Sequence, residues 1–306
     1  MNPVDFGKLI KNLNKSELYG CDCCPANLFL LQQNNKVVLE IHENVLFRYF
    51  SIDENLTGYG FPIPMKNSSR DFSLKDCVAF ILEQSKLQKR KLSFCFITEE
   101  QKNQLDSVLT GFFNLRVLWQ TDRSDSDYIY EQKNLAELSG SDYQKKRNHI
   151  SRFKRIYGER WTFRSFPEND ISNDILRVAQ KWFEENDSEE KEMLLEEQNK
   201  INIILKNALL FSLKGGVLYV DEKPVAMTLA AEISEKVLDV LFEKAIGEYA
   251  KNGAYAVINN QFASICSDYV YLNREEDLGI EGLRKAKLSY KPSLLLEKFH
   301  GSVTGA

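Results

Sequence analysis

Apolar and polar positions repeat along this chain with two different periods, and segments of each kind take turns. Residues 2–13 carry apolar side chains at helical spacing, while 36–41 and 45–50 read as strands joined by a short Asn-containing turn. Two prolines hold Phe61-Pro-Ile-Pro64 extended. A helix is predicted over 73–88, opening on Ser-Leu-Lys-Asp in the manner of a capping box. Residues 92–97 read as a buried strand, Thr98 as the cap of a helix through Phe112, and 115–119 as a further strand.

The polar stretch Thr121-Asp-Arg-Ser-Asp-Ser-Asp127 then breaks the pattern and offers no apolar anchor. It marks the expected domain boundary, with one unit over 1–122 and a second over 123–306. In the second unit the periods predict a helix over 141–157, a strand over 161–166, and helices over 171–186 and 189–212. Strands over 216–220, 224–232 and 237–243 are separated by tight turns at 221–223 and 234–236. A helix over 254–266, a strand over 269–272, a helix over 280–290 and a strand over 294–299 complete the order. That order, β-α-α-β-β-β-α-β-α-β, is the one found in the GNAT acyltransferase fold. The first unit, with its hairpin and β-α-β-α-β tail, is expected to be a degenerate copy. The predicted class is therefore α+β, with tandem GNAT-like domains, each a mixed, mostly antiparallel sheet flanked by helices. No residue-level repeat links the two halves.

Composition narrows the class further. A hydrophobic share of 43% and a charged share of 27% are those of a soluble globular chain. The net charge of -4 gives no bulk signal for nucleic acid. No apolar run approaches the roughly 20 residues that cross a bilayer. The first residues lack a secretory pattern, so a cytoplasmic protein is expected. Cys21, Cys23 and Cys24 sit together, and a metal would recruit His42 as fourth ligand. Cys-x-Cys-Cys is not the Cys-x2-Cys knuckle of structural zinc, so free thiols in a reducing compartment are expected and no metal.

Candidate chemistry concentrates between Tyr269 and Pro292. A strand ends there in Asn273, Arg274, Glu275, Glu276 and Asp277, followed by Gly279, Gly282 and a basic helix. Five polar residues at one strand–helix junction exceed what a helix cap needs, so a binding site is expected beside the plainer reading of a cap. Arg284 and Lys287 share a helix face and either hold an anionic donor or face water. Glu243 ends an alternating strand, and counting by two puts it on one face with Leu241 and Asp239. It reads as a general base or as a charged edge. Asn259 reads as a substrate-orienting amide or as helix surface. The loop 245–253 lies where a GNAT chain cradles pyrophosphate, yet it lacks the Arg/Gln-x-x-Gly-x-Gly/Ala pattern of coenzyme A users. The basic helix Lys145-Lys-Arg-Asn-His-Ile-Ser-Arg-Phe-Lys-Arg155 suits phosphate contacts with tRNA or a phosphorylated small molecule, or is a solvated face.

One family shares these residues. Tyr128-Ile-Tyr130, Leu135 to Gly140, Tyr143-Gln-Lys-Lys-Arg-Asn148, Phe242-Glu-Lys-Ala245, Gly253-Ala-Tyr255 and Tyr271 to Lys287 with Pro292 resemble a family related to the C-terminal domain of phosphatidylglycerol lysyltransferase. The resemblance is strong over 127–300 and rests on Ala26-Asn-Leu-Phe29 before that. The Lys-Phe-x-Pro ending of the lysyltransferases appears as Ser289-Tyr-Lys-Pro292, without its first lysine. The resemblance implies an acyl- or aminoacyltransferase, with acyl-CoA or aminoacyl-tRNA as donor and no certain cofactor. Its acceptor would be a small molecule, a peptide or a lipid headgroup, with tRNA as a partner. Catalytic roles then fall to Glu243 and Asp277. Substrate binding falls to Asn259, Asn273, Arg274, Glu275, Arg284 and Lys287, and donor phosphates to Lys145, Arg147, Asn148 and Gly253. A non-catalytic binding or regulatory protein on the same fold is the alternative.

Overall fold

The computed structural model describes residues 3–66, 72–186 and 191–305. The chain opens with α1 (Pro3–Asn12), a 3-10 turn at Cys21–Cys23 and α2 (Pro25–Gln33). Then come β1 (Val37–His42), β2 (Val45–Ser51), β3 (Thr57–Tyr59), β4 (Ile63–Pro64), α3 (Leu74–Leu87), β5 (Ser93–Ile97), α4 (Glu99–Phe113) and β6 (Leu115–Thr121). β7 (Asp127–Glu131), α5 (Gln132–Glu137), α6 (Gln144–Tyr157), β8 (Trp161–Phe166), α7 (Ser172–Glu185) and α8 (Lys191–Lys206) follow. The second half continues with β9 (Lys214–Val220), β10 (Lys223–Glu232), β11 (Val237–Ala245), α9 (Gly247–Lys251) and α10 (Ala254–Ile265). It ends with β12 (Tyr271–Asn273), α11 (Glu281–Leu288), β13 (Leu294–Leu296) and β14 (Phe299–Gly305).

Most local signals act as the sequence predicts. Ser73 accepts from the Asp76 N–H to start α3, and Thr98 with Gln101 forms a complete capping box on α4. Asp221 and Glu222 both take positive φ, 49° and 59°, which is the backbone of a two-residue hairpin turn between β9 and β10. The predicted start of the helix over 189–212 lies outside the described residues; α8 is described from Lys191.

The strands form two mixed sheets, so the expectation of an α+β chain with two sheets flanked by helices holds. One sheet runs β1-β2-β3-β5-β14-β6, with β4 also paired to β2. The other runs β13-β7-β12-β11-β10-β9-β8. The strand predicted over 294–299 is in fact two strands in different sheets: β13 pairs with β7, and β14 lies between β5 and β6. The first sheet therefore takes one of its strands from the far end of the chain, across the expected boundary at 122/123.

The largest core also spans both halves. Phe6, Leu28, Phe29 and Phe50 pack in it with Ile175, Ile204, Tyr219 and Leu229. α2 contributes Pro25, Ala26, Leu28, Phe29 and Leu30 to buried positions, and its polar Asn27 is turned inward as well, so no single stripe of it is apolar. Such a helix has no amphipathic period, which is why the pattern of polar and apolar positions does not reveal it. Among the described residues no helix is long and apolar enough to cross a membrane.

Candidate functional site

β11 and β12 run parallel for three residue pairs, Val237↔Tyr271 to Asp239↔Asn273, and then part. β11 continues along β10 to Ala245, while the chain beyond Asn273 turns away. Two strands that separate leave backbone groups and a wedge of space between them, and polar side chains fill it here. On one side of the wedge the Arg274 Nη2 donates to Glu243 Oε1 at 2.8 Å, and the Asn259 Nδ2 donates to Glu243 Oε2 at 3.2 Å. Arg274 lies over Tyr290, 4.9 Å from the ring centroid, and beside Tyr130 at 5.8 Å. Only 10% of the Glu243 side chain and 13% of that of Arg274 remain exposed. Asn259 Oδ1 and Arg274 Nη1 are buried without a hydrogen-bond partner among the described residues.

Counting by two fails between Asp239 and Glu243. Phe242 pairs with Leu229 and Val240 with Ala230, which leaves Leu241 as an extra residue in a β-bulge. A bulge reverses the alternation beyond it. Asp239 consequently faces α2, where its Oδ2 accepts from Asn27 at 3.2 Å, while Glu243 faces α10 and Asn259. The two carboxylates expected on one face lie on opposite faces.

The junction Asn273–Asp277 is mostly internal wiring rather than an open acceptor wall. Asn273 is fully buried, donating to the Tyr19 carbonyl at 2.9 Å and to Asp127 at 2.8 Å. Its Oδ1 accepts from the Glu275 N–H at 2.7 Å, which fixes Glu275 at φ 55°. Glu275 in turn accepts from Asn27 at 2.9 Å. Asp277 is saturated: Arg284 grips it through two hydrogen bonds at 2.7 and 2.9 Å, and the Tyr128 hydroxyl and Gly279 N–H donate at 2.6 and 2.9 Å. The Arg284 hydrogen bonds, with those of Tyr128 and Gly279, hold the Asp277 carboxyl far below its usual range against the effect of burial. With four hydrogen bonds already made to it, Asp277 caps the loop and is not set at the wedge as the expected catalytic group. Arg284 commits its Nε and Nη2 to that cap, and Arg123 Nη1 stands 3.6 Å from the same carboxylate. Lys287 is 7% exposed and donates to the carbonyls of Arg274 and Glu276, so it braces the loop from within.

Behind the loop lies a buried ionic cluster that the sequence reading missed. The Lys298 ammonium meets Asp127 at 2.5 Å, Glu276 at 3.0 Å and the Cys21 Sγ at 3.2 Å. Cys21, Asp127 and Glu276 stand close enough together to ligate a metal ion. The lysine ammonium already bonds all three, so a cation of the protein's own occupies the position. Burial alone lowers the affinity of Lys298 for its proton, but Asp127, Cys21 and Glu276 outweigh it and keep the amine charged. Burial and the neighbouring Glu276 raise Glu275 to about 8, and burial with Glu275 and Asp127 raises Asp239 well above its usual range. His42 is apart from all this, stacked on Phe80 at 4.2 Å. The three clustered thiols are free and buried. Lys298 follows Leu294-Leu-Leu-Glu297 and precedes Phe299, and the chain offers no stronger local signal for this cluster.

The expected donor residues do not converge on one cradle. Arg147 donates to the carbonyls of Leu138 and Gly140 and to Gln144 at 2.7 Å, ending α5. Asn148 accepts from Gln144 at 2.8 Å, and Lys145 projects from the exposed face of α6. Gly253 precedes α10 with φ 109°, and a Cβ there would stand 2.5 Å from the His149 carbonyl oxygen. The backbone of α6 thus packs onto the N-terminus of α10, the place where a coenzyme A pyrophosphate would sit in a GNAT chain. The loop's N–H groups are also taken, Gly247 donating to the Glu185 carboxylate at 2.6 Å and Gly253 to the Ala250 carbonyl at 3.2 Å, so the residues present do not fit that group. Lys146, between the expected Lys145 and Arg147, is the α6 side chain that does reach the wedge, lying 3.5 Å from the centroid of the Tyr290 ring.

Comparison with known proteins agrees with this architecture. The profile of the family described as phosphatidylglycerol lysyltransferase, C-terminal, matches residues 14–300. A solved conserved protein of unknown function from Bacteroides thetaiotaomicron is 30% identical, with a TM-score of 0.88 over 99% of this chain and 98% of its own. L-PGS from Bacillus licheniformis superposes with a TM-score of 0.62 at 15% identity, over 98% of this chain and 91% of its own. The DUF2156 C-terminal domain of an Agrobacterium fabrum protein assigned as a lysylphosphatidylglycerol synthetase gives 0.62 at 13% identity, over 98% and 92%. These last two likenesses establish shared fold. An uncharacterised protein of Mycoplasmoides gallisepticum is 24% identical over 176 residues, 58% of this chain and 56% of its own length. The chain thus spans little more than half of that relative. With its profile match across nearly the whole chain, the protein belongs to the phosphatidylglycerol lysyltransferase C-terminal family.

Proposed function

We propose that this chain transfers an aminoacyl group from an ester donor, such as an aminoacyl-tRNA, to an amine or hydroxyl acceptor at the wedge between β11 and β12. The observation that carries the reading is the hydrogen-bonded set Glu243–Arg274–Asn259, placed where the two parallel strands part. Glu243 is held through one oxygen by Arg274 and through the other by Asn259. Each oxygen keeps acceptor capacity for a substrate proton.

In the reaction the acceptor nitrogen or oxygen attacks the donor's ester carbon, and Glu243 takes the proton that the nucleophile loses. The carbonyl oxygen becomes an oxyanion, for which positive charge in the wedge is the complement. The oxyanion then re-forms the carbonyl, the bond to the donor's ribose oxygen breaks, and Glu243 returns its proton to that oxygen. Ester and nucleophile become amide or new ester plus a free ribose hydroxyl. A coenzyme A thioester is the weaker donor because α6 fills the place its pyrophosphate needs. Acceptors of lipid-headgroup, peptide or small-molecule type all remain chemically suited to this step.

The test is deacylation of radiolabelled aminoacyl-tRNAs by the purified chain, with amines, amino acids and phosphatidylglycerol vesicles as acceptors. Transfer should occur with at least one pair and fall about 100-fold or more in Glu243→Gln with the fold retained. Transfer that Glu243→Gln leaves unchanged, or transfer from acetyl-coenzyme A alone, would overturn the reading.

A further inference from the structure

The wedge contains more positive charge than its own carboxylate neutralises. Lys146 and Arg274 bear on the same Tyr290 ring, at 3.5 and 4.9 Å from its centroid. Among the described residues the carboxylate that stands with them is Glu243, and Arg274 already pairs with it at 2.8 Å. Arg274 Nη1 is buried with no acceptor among the described residues. Lys146, half-buried, makes no hydrogen bond or ion pair among the described residues, and its contact is the face of the Tyr290 ring. Burial, then the neighbouring Arg274, brings its amine down to about 8 against the pull of Glu243.

Two cations on one aromatic ring, each with donors to spare, are costly unless an anion completes them. A ring face attracts cations but offers no lone pair for their N–H groups. We propose that Lys146 and the free Nη1 of Arg274 form an anion subsite beside Glu243, taking a carboxylate or phosphate oxygen of a substrate. This rests on the transferase reading for the identity of the neighbouring base, but the binding itself needs no turnover. The oxyanion of a bound substrate would sit within reach of the base that deprotonates the incoming nucleophile. Lys146 thereby becomes the contribution of the basic α6 to the site, in place of Lys145, Arg147 and Asn148.

The experiment is competitive labelling of lysines with acetic anhydride across pH, read residue by residue by mass spectrometry, with exposed Lys145 as the internal reference. Inorganic phosphate and acetate serve as probes against chloride at matched ionic strength. Lys146 should titrate near 8 without them, and a saturating anion should raise that midpoint by about one unit or more. Arg274→Met should abolish the shift and Lys145→Ala should preserve it. If Arg274→Met fails to fold, Arg274→Lys, which keeps the charge and loses Nη1, should weaken the shift. Protection by phosphate alone identifies a phosphate ester as the ligand class, and protection by acetate identifies a carboxylate. An unchanged Lys146 midpoint with both anions, or an equal shift at Lys145, would overturn the subsite. Absent transfer with the anion shift intact would sink the transferase reading alone.

Discussion

The ammonium of Lys298, 1% exposed, lies 2.5 Å from the fully buried carboxylate of Asp127. The pair ties the segment just before β14 to the first residue of β7, and so ties the strand that completes the first sheet to the second sheet. Glu276 and Cys21 complete the ring around the same nitrogen. Removing one member of such a pair strands the other charge away from water. Lys298→Met should therefore cost about 3–5 kcal/mol in urea unfolding. Lys298→Met combined with Asp127→Asn should cost clearly less than the sum of the two single changes. Additive losses would show that the two groups do not depend on each other.

At the wedge, Arg274 and Glu243 make the corresponding pair with more access to solvent. Arg274→Met leaves Glu243 with Asn259 as its remaining partner, whereas Glu243→Gln keeps a hydrogen-bond acceptor for Arg274. The arginine change should be the more destabilising, by about 2–3 kcal/mol, and the glutamine change by about 1 kcal/mol. Chemical denaturation at neutral pH separates the two. Equal losses would mean that the retained amide acceptor does not hold Arg274 and that the carboxylate charge is required.

Glu275 gives stability a dependence on pH. Burial first, then the charge of Glu276, raises its pKa from 4.5 to about 8 in the folded chain. Between those values the folded state holds a proton that the unfolded state has released. The associated stability is fully present below the unfolded pKa and is lost as pH rises through about 8. Tm should accordingly fall between pH 5 and pH 8.5 in a low-salt buffer series, and Glu275→Gln should flatten that fall. A wild-type Tm that rises over the same interval would contradict the assignment.

The expectations that succeeded and failed differ in range. Ser73, Thr98 and the Asp221–Glu222 turn act within a few residues of themselves, and each behaves as its type predicts. Glu243, Arg274 and Asn259, flagged from one short strand, its neighbour and the helix between, do come together. Asp277, Arg284 and Lys287 stand out in the sequence for charge, and their hydrogen bonds are made within the loop and the helix that follows it. Lys146 is indistinguishable by charge from its neighbours on α6, and its position against Tyr290 sets it apart.

By itself the sequence determined the alternation of helices and strands, the caps and turns, and membership in a family of known architecture. Those features follow from side-chain period and short-range backbone chemistry, which a linear chain displays directly. Only the tertiary structure decided which carboxylates share a space. A single extra residue at Leu241 sends Asp239 and Glu243 to opposite faces, and a lysine 171 residues from Asp127 neutralises it. Neither outcome has a local cause: the bulge is defined by pairing with β10, and the charge balance by packing between the two sheets. Charge in this chain is therefore legible as composition in the sequence, and as chemistry only once burial shows which groups water no longer reaches.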